Sequence, residues 1–221
     1  MSTADLRLVR LLQLASPALP VGAFSYSQGL EAAVEAGIVR DAASAERWIG
    51  DVFDGSVAQM EAPVLLRLCA AWGARDAAAA QRWNALFLAG RETAELRAET
   101  AQMGYSLARL LPELGVPAPG FEEIAFPTAF ACAAAHWDIG PHEALTAYLW
   151  AWLENQAMAA LKAVPLGQTG GQKMLLALGA RIAGAARRAA ALADDELCNF
   201  APGLALLSAR HETQYSRLFR S

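Results

Sequence analysis

The chain is poor in the residues that most often announce chemistry. Only 18% of its 221 residues are charged, and it has just three cysteines and three histidines. Cys69, Cys132 and Cys198 are odd in number, widely spread and without a CxxC spacing, so neither a disulfide framework nor a zinc cluster is indicated. A reducing cytoplasm fits that usage best. An excess of positive charge is also missing: the net charge is −4, which leaves no electrostatic footprint for nucleic acid or for an anionic membrane surface. Uninterrupted apolar runs are absent too. Leu11 to Leu30 carries no charge and follows Arg7 and Arg10, but Pro17 and Pro20 would break a spanning helix. Gln13, Ser16, Ser25, Ser27 and Gln28 add polarity, and Asp5 sits in what would be a basic leader. The expectation is a soluble chain, neither exported nor anchored. Period-two alternation and internal repeats are likewise missing, which argues against strands and against a solenoid.

What the sequence does have is alanine, 51 residues of it. Alanine is the best helix former, and with 55% hydrophobic residues there is ample apolar surface to offset chain entropy. The expected fold class is all-α: a single-domain bundle of roughly eight to ten helices over residues 1–221, broken at proline, glycine and capping residues. Ser25 with Gln28 reads as a capping box opening a helix through Leu30, Ala33 and Val34 that stops near Gly37. Asp41 or Ser44 starts the next, which aligns Trp48, Ile49, Val52 and Phe53 along one side. Helices follow over Pro63 to Trp72, Asp76 to Ala89 and Ala94 to Leu111. The stretch from Pro112 to Pro127, with four prolines and two glycines, is the most linker-like. Pro141 occupies a first-turn position, and Leu145, Tyr148, Leu149, Trp152, Gln156 and Ala159 mark a stripe that ends before Pro165, the pattern of a central core helix.

Several catalytic motifs almost form and then fail. Gly167 to Lys173 imitates a phosphate-binding loop, but Gln172 precedes the lysine, Met174 follows it and no strand leads in, so the start of a helix after Pro165 is the reading. His211-Glu212 begins like a zinc-protease helix, yet Tyr215 stands where the second histidine belongs. Ser25-Tyr26-Ser27-Gln28-Gly29 resembles a nucleophile elbow without its first glycine or its strand. Cys132 and His136 are four apart, but two ligands do not make a site. No paired carboxylates, triad, metal centre or cofactor fingerprint emerges, and the residues disfavour an enzyme.

Two segments depart from the average. One is Leu11-Leu-Gln-Leu-Ala-Ser-Pro-Ala-Leu-Pro-Val-Gly-Ala-Phe-Ser-Tyr-Ser-Gln-Gly-Leu-Glu31; the other is Ser208-Ala-Arg-His-Glu-Thr-Gln-Tyr-Ser-Arg-Leu-Phe-Arg-Ser221. A helix capped by Ser208 would set Arg210, Gln214 and Arg217 on one face and Tyr215, Leu218 and Phe219 on another. Arginine and aromatic residues are the usual interface anchors, so this has the anatomy of a docking segment; an amphipathic tail packed on its own domain is the other reading. These blocks, together with Lys162-Ala-Val-Pro-Leu-Gly-Gln168, Arg91-Glu-Thr-Ala-Glu-Leu-Arg97 and Gln102-Met-Gly104, resemble the urease accessory protein UreF family over nearly the whole chain. Ala23 stands where many members carry glycine.

The resemblance implies an all-helical, non-enzymatic scaffold without a cofactor, acting in maturation of urease, a nickel enzyme. Family members dimerise, bind UreD (UreH in some systems) and recruit the GTPase UreG, through which the complex serves the urease apoprotein. By resemblance, Phe24 and Arg217 belong to the GTPase-recruiting surface, with Tyr26, Ser27, Gln28 and Glu31 beside them, and residues 1–24 form an N-terminal interaction segment. Residues 208–221 form the UreD-docking tail, with Arg210, His211, Glu212, Tyr215, Arg217, Leu218 and Phe219, ordering from Arg210 to Phe219 when UreD binds. An alternative is a direct activator of the GTPase, lending an arginine from the tail.

Overall fold

The computed structural model of the chain describes residues 2–221, and among them there is no strand. The α-helices are α1 (Thr3–Ala15), α2 (Leu30–Glu35), α3 (Ala42–Val52), α4 (Ala62–Gly73), α5 (Ala77–Ala89), α6 (Ala94–Leu110), α7 (Phe126–His136), α8 (Pro141–Ala163), α9 (Gln168–Gly179), α10 (Ile182–Ala191) and α11 (Pro202–His211). A π-helical stretch, Phe53–Glu61, joins α3 to α4 without a break.

Four of the eleven described α-helices, α1, α3, α5 and α6, start where short polar side chains satisfy the first free N–H groups. Asp41 accepts from the Ser44 N–H and the Ser44 hydroxyl bonds back, a reciprocal box at the head of α3. Asp76 caps α5 through Ala79, and Thr93 caps α6 through Leu96. Pro127, Pro141 and Pro202 sit in first turns, where a missing N–H costs nothing. The box expected from Ser25 and Gln28 does not form. Gln28 adopts a left-handed φ of 51° and its amide is engaged with Trp152 and Glu99, so α2 starts at Leu30 behind Gly29, and Ser27 Oγ accepts the Glu31 N–H instead. Ser208 caps nothing either. It lies inside α11, fully buried, and its hydroxyl meets that of Thr93 at 2.8 Å.

The alanine bias has a packing consequence. Ala129, Ala131, Ala133 and Ala134 of α7 are wholly buried, and α7 lies against α4 and α6 on these small side chains. Next to it α6 comes so close to the 115–125 loop that a Cβ on Gly104 would fall 2.0 Å from the Ile124 carbonyl oxygen. α8 is the central element, touching α1, α4, α9 and α10, with Leu145, Leu149, Leu153 and Ala157 fully buried. The buried apolar residues form one continuous cluster from Leu14 to Phe219. No helix among the described residues is long and apolar enough to cross a membrane.

A π-helix leaves carbonyls displaced from the α pattern, and a segment from the far end of the chain uses them. The Phe200 N–H donates to the Gly55 oxygen at 3.0 Å, Cys198 N–H to that of Gln59 at 3.4 Å, and Ser56 Oγ to Asn199 Oδ1 at 2.5 Å. This strap leads the chain into α11 and the tail.

Candidate functional site

The two blocks that depart from the average composition meet in space. After α11 the chain does not continue as a helix; it turns at Glu212 and Thr213 and returns over α2 and the head of α6 through bends at 215–216 and 218–219. Main-chain pairing ties it to the first block: Arg220 N–H donates to the Ser25 oxygen at 2.8 Å, and Ser27 N–H to the Ser221 oxygen at 2.8 Å, with Ser27 Oγ donating to the same atom at 2.6 Å.

Glu31 holds the preceding residues. Its carboxylate accepts from the N–H groups of Leu218 and Phe219 at 2.7 and 2.8 Å, two charge-assisted bonds to backbone that would otherwise be unpaired. His211, with no exposed surface, lies between two carboxylates: Nδ1 is 2.7 Å from Glu95 and Nε2 is 3.4 Å from Glu31. Glu95 also receives Arg217 Nη1 at 2.7 Å, while Arg217 Nε donates to the Gln214 oxygen. Glu212 accepts from Ala94 N–H at 3.0 Å, adding an anion at the N-terminus of α6, where the helix dipole favours it.

The structure therefore sorts the residues singled out by sequence. Phe24 is exposed, and so are Tyr215, which is wholly open, and Leu218. Arg210 and Glu212 are also at the surface. Tyr26, Ser27, His211 and Phe219 are buried, so they hold the tail in place and do not face outward. Gln28 and Glu31 likewise point into the assembly. Lys162, at the end of α8, has its ammonium 5.8 Å from the Phe24 ring and 5.6 Å from that of Phe219, a cation between two aromatic faces, one from each block.

Beneath this surface lies a buried polar cluster that sequence reasoning did not pick out. Glu61 accepts from Arg91 Nη1 at 2.9 Å and from the Tyr148 hydroxyl at 2.8 Å. Gln28 joins Trp152 Nε1, at 2.8 Å, to Glu99, at 2.7 Å, and Ser221 Oγ donates to the other Glu99 oxygen at 2.9 Å. Burial pushes the Glu99 carboxyl up to about 7, against the downward pull of those two hydrogen bonds, and burial raises the Tyr148 phenol well above its ordinary range. Arg91, Thr93, Glu95 and Glu99 all stem from Arg91 to Glu99, overlapping the similar stretch Arg91 to Arg97. That motif was the available signal, but nothing in it said that its charges face inward.

Among the described residues no group of three or more His, Cys, Asp or Glu side chains is arranged to hold a metal ion. A family model described as UreF matches residues 39–179, more than half of the chain. Proteins named urease accessory protein UreF are similar over nearly the full length. That of Azoarcus sp. is 59% identical over 225 residues, covering 98% of this chain and 96% of the relative. That of Dechloromonas aromatica is 56% identical over 224 residues, with 98% of both chains covered, and that of Methylobacillus flagellatus is 52% identical over 221, with 97% of both.

Proposed function

Because this chain belongs to the UreF family of urease accessory proteins, and so to urease maturation, we propose that it is a non-catalytic cytoplasmic scaffold. In this reading it acts as a homodimer that bridges UreD (UreH) and the GTPase UreG while nickel is delivered to the urease apoprotein. The observation that carries the reading is the stitching of the tail onto the N-terminal block. It creates one composite surface: Phe24, Tyr215 and Leu218 are exposed on the two joined segments, and Lys162 lies between the Phe24 and Phe219 rings. Large exposed apolar and aromatic groups on a rigid base are what a partner-binding surface needs.

Tyr215 and Leu218 carry the test, since both are exposed and neither side chain supports the core. The double variant Tyr215→Ala/Leu218→Ala is expected to keep its helical circular dichroism and melting temperature while losing copurification with coexpressed UreD by about tenfold or more. Undiminished copurification would remove the tail from the docking surface.

The alternative of a GTPase activator through Arg217 has less support. Its guanidinium is already engaged by Glu95 and by the Gln214 and Glu212 oxygens, so presentation to a nucleotide requires those bonds to break. Single-turnover GTP hydrolysis in preassembled complexes separates the two: Arg217→Ala leaves the rate unchanged for a scaffold and lowers it for an activator.

A further inference from the structure

The tail is joined to the body around one histidine that water does not reach. Of the three histidines in the chain, His136 and His142 are exposed, whereas His211, the last residue of α11, has no exposed surface. Both of its ring nitrogens face carboxylates: Nδ1 lies 2.7 Å from Glu95 Oε2, and Nε2 lies 3.4 Å from Glu31 Oε2. The same two carboxylates hold the tail. Glu95 receives Arg217 Nη1 on its other oxygen, and Glu31 receives the N–H groups of Leu218 and Phe219.

An ionised carboxylate only accepts, and a neutral imidazole carries a single N–H. A neutral His211 can therefore donate to one of these partners and must turn a lone pair on the other. The imidazolium donates to both. If the neutral ring keeps the shorter contact, to Glu95, its lone pair faces Glu31 Oε2, the oxygen that accepts the Phe219 N–H at 2.8 Å. Charge balance gives the same answer. The charged groups facing the ring are Glu31 of α2 and Glu95 of α6, with Arg217 of the tail on the far side of Glu95. Arg210 is turned to solvent, and Glu212 is spent on the Ala94 N–H. A protonated ring sets two cations against two carboxylates whose side chains are each 13% exposed, whereas a neutral ring leaves one of those buried anions uncompensated.

We propose that His211 is a proton-operated latch for the tail: the imidazolium bridges Glu95 and Glu31 while residues 212–221 are docked on the N-terminal block, and loss of its proton loosens that docking. The tail carries the exposed Tyr215 and Leu218, so the latch sets the pH range in which the composite surface is assembled. Because docking then requires a proton, its equilibrium constant falls by up to about tenfold per pH unit as that proton is lost. The inference concerns the chain alone and does not rest on the scaffold reading. Glu99 reaches the end of the tail through Ser221 Oγ and has its own carboxyl raised to about 7, so its contribution has to be separated.

Long-range ¹H–¹⁵N spectra of the full chain read the charge of each imidazole directly, with the exposed His136 and His142 as references. Hydrogen exchange at the Leu218 and Phe219 amides, corrected for intrinsic rates, reads docking. Between about pH 5.5 and pH 9 the His211 ring is expected to pass from doubly protonated to neutral. Protection of the two tail amides should fall in step with it, by at least about tenfold, in the unmodified protein and in Glu99→Gln alike. In Glu99→Gln, where that carboxyl no longer contributes, the α4 amides should keep their protection. His211→Gln keeps one donor and one acceptor but no charge, and should leave the tail poorly protected at every pH. The latch is overturned by a ring that holds one charge state across the range under a protected tail, neutral or charged alike. Protection in Glu99→Gln that does not follow the ring overturns it too. Both outcomes are read with His211 intact, so they stand even if His211→Gln does not fold.

Discussion

Glu31 concentrates more of the architecture than any other single side chain in the site. One carboxylate accepts two backbone N–H groups of the tail and approaches His211, so Glu31→Ala leaves Leu218 and Phe219 N–H without acceptors. The expected cost is roughly 3 kcal/mol by denaturant titration, with faster amide exchange confined to residues 214–221. Glu99 acts through its charge. Its carboxyl is raised from 4.5 to about 7 by burial, so its contribution to stability is fully present below pH 4.5 and is lost as pH rises through 7. Unfolding measured from pH 5 to pH 8 should therefore show stability falling by on the order of 3 kcal/mol from this group, a slope that Glu99→Gln removes. Neither role was legible in the sequence. Both residues sit in helical stretches where a glutamate reads as solvated, and it is the tail, 187 residues from Glu31 and 122 from Glu99, that engages them.

At the scale of elements the sequence was more informative, for a local reason. Asp41, Asp76, Thr93 and Pro141 act within three residues of themselves, so helix starts at α3, α5, α6 and α8 could be read from caps and first-turn prolines alone. The Ser25–Gln28 box failed because Gln28 is claimed by Trp152 and Glu99, partners 124 and 71 residues distant. The spacing of the tail permits a helix, but tertiary pairing with Ser25, Ser27 and Glu31 overrides it beyond His211. The π stretch had no sequence signal at all, since its apolar periodicity differs little from that of its α neighbours. Its docking to the strap makes a prediction. A Cβ on Gly55 would lie 2.7 Å from the Phe200 oxygen, so Gly55→Ala must push the strap away and break the Phe200 N–H to Gly55 bond. A loss of roughly 1–3 kcal/mol is expected, with the Cys198 and Phe200 amides exchanging faster than those of α4.

For the whole molecule, the alanine-rich body is the base on which the two unusual blocks are fixed to each other, and the composite surface exists only when both are present. Removal of residues 212–221 should preserve most of the helical signal while lowering the melting temperature, because Phe219 leaves the core and Ser27, Glu31 and Glu99 lose partners. Differential scanning calorimetry of the shortened and full chains measures this directly, and the same shortened chain should fail to retain UreD. The continuous rod Ala42–Gly73 has a different consequence, one of length. Because its middle is wound as a π-helix, the rod takes up an extra residue in its wide turns, and deleting one residue between Phe53 and Glu61 should let them close into an α-helix while Leu65 and Leu68 keep their facing toward the core. What is lost is the set of displaced carbonyls on which the 198–200 strap rests. The same deletion at the head of α4, where no wide turn absorbs it, would turn everything beyond it by about 100° and swing Leu65 and Leu68 out of the core. Within one rod, tolerance to a lost residue is set by how it is wound.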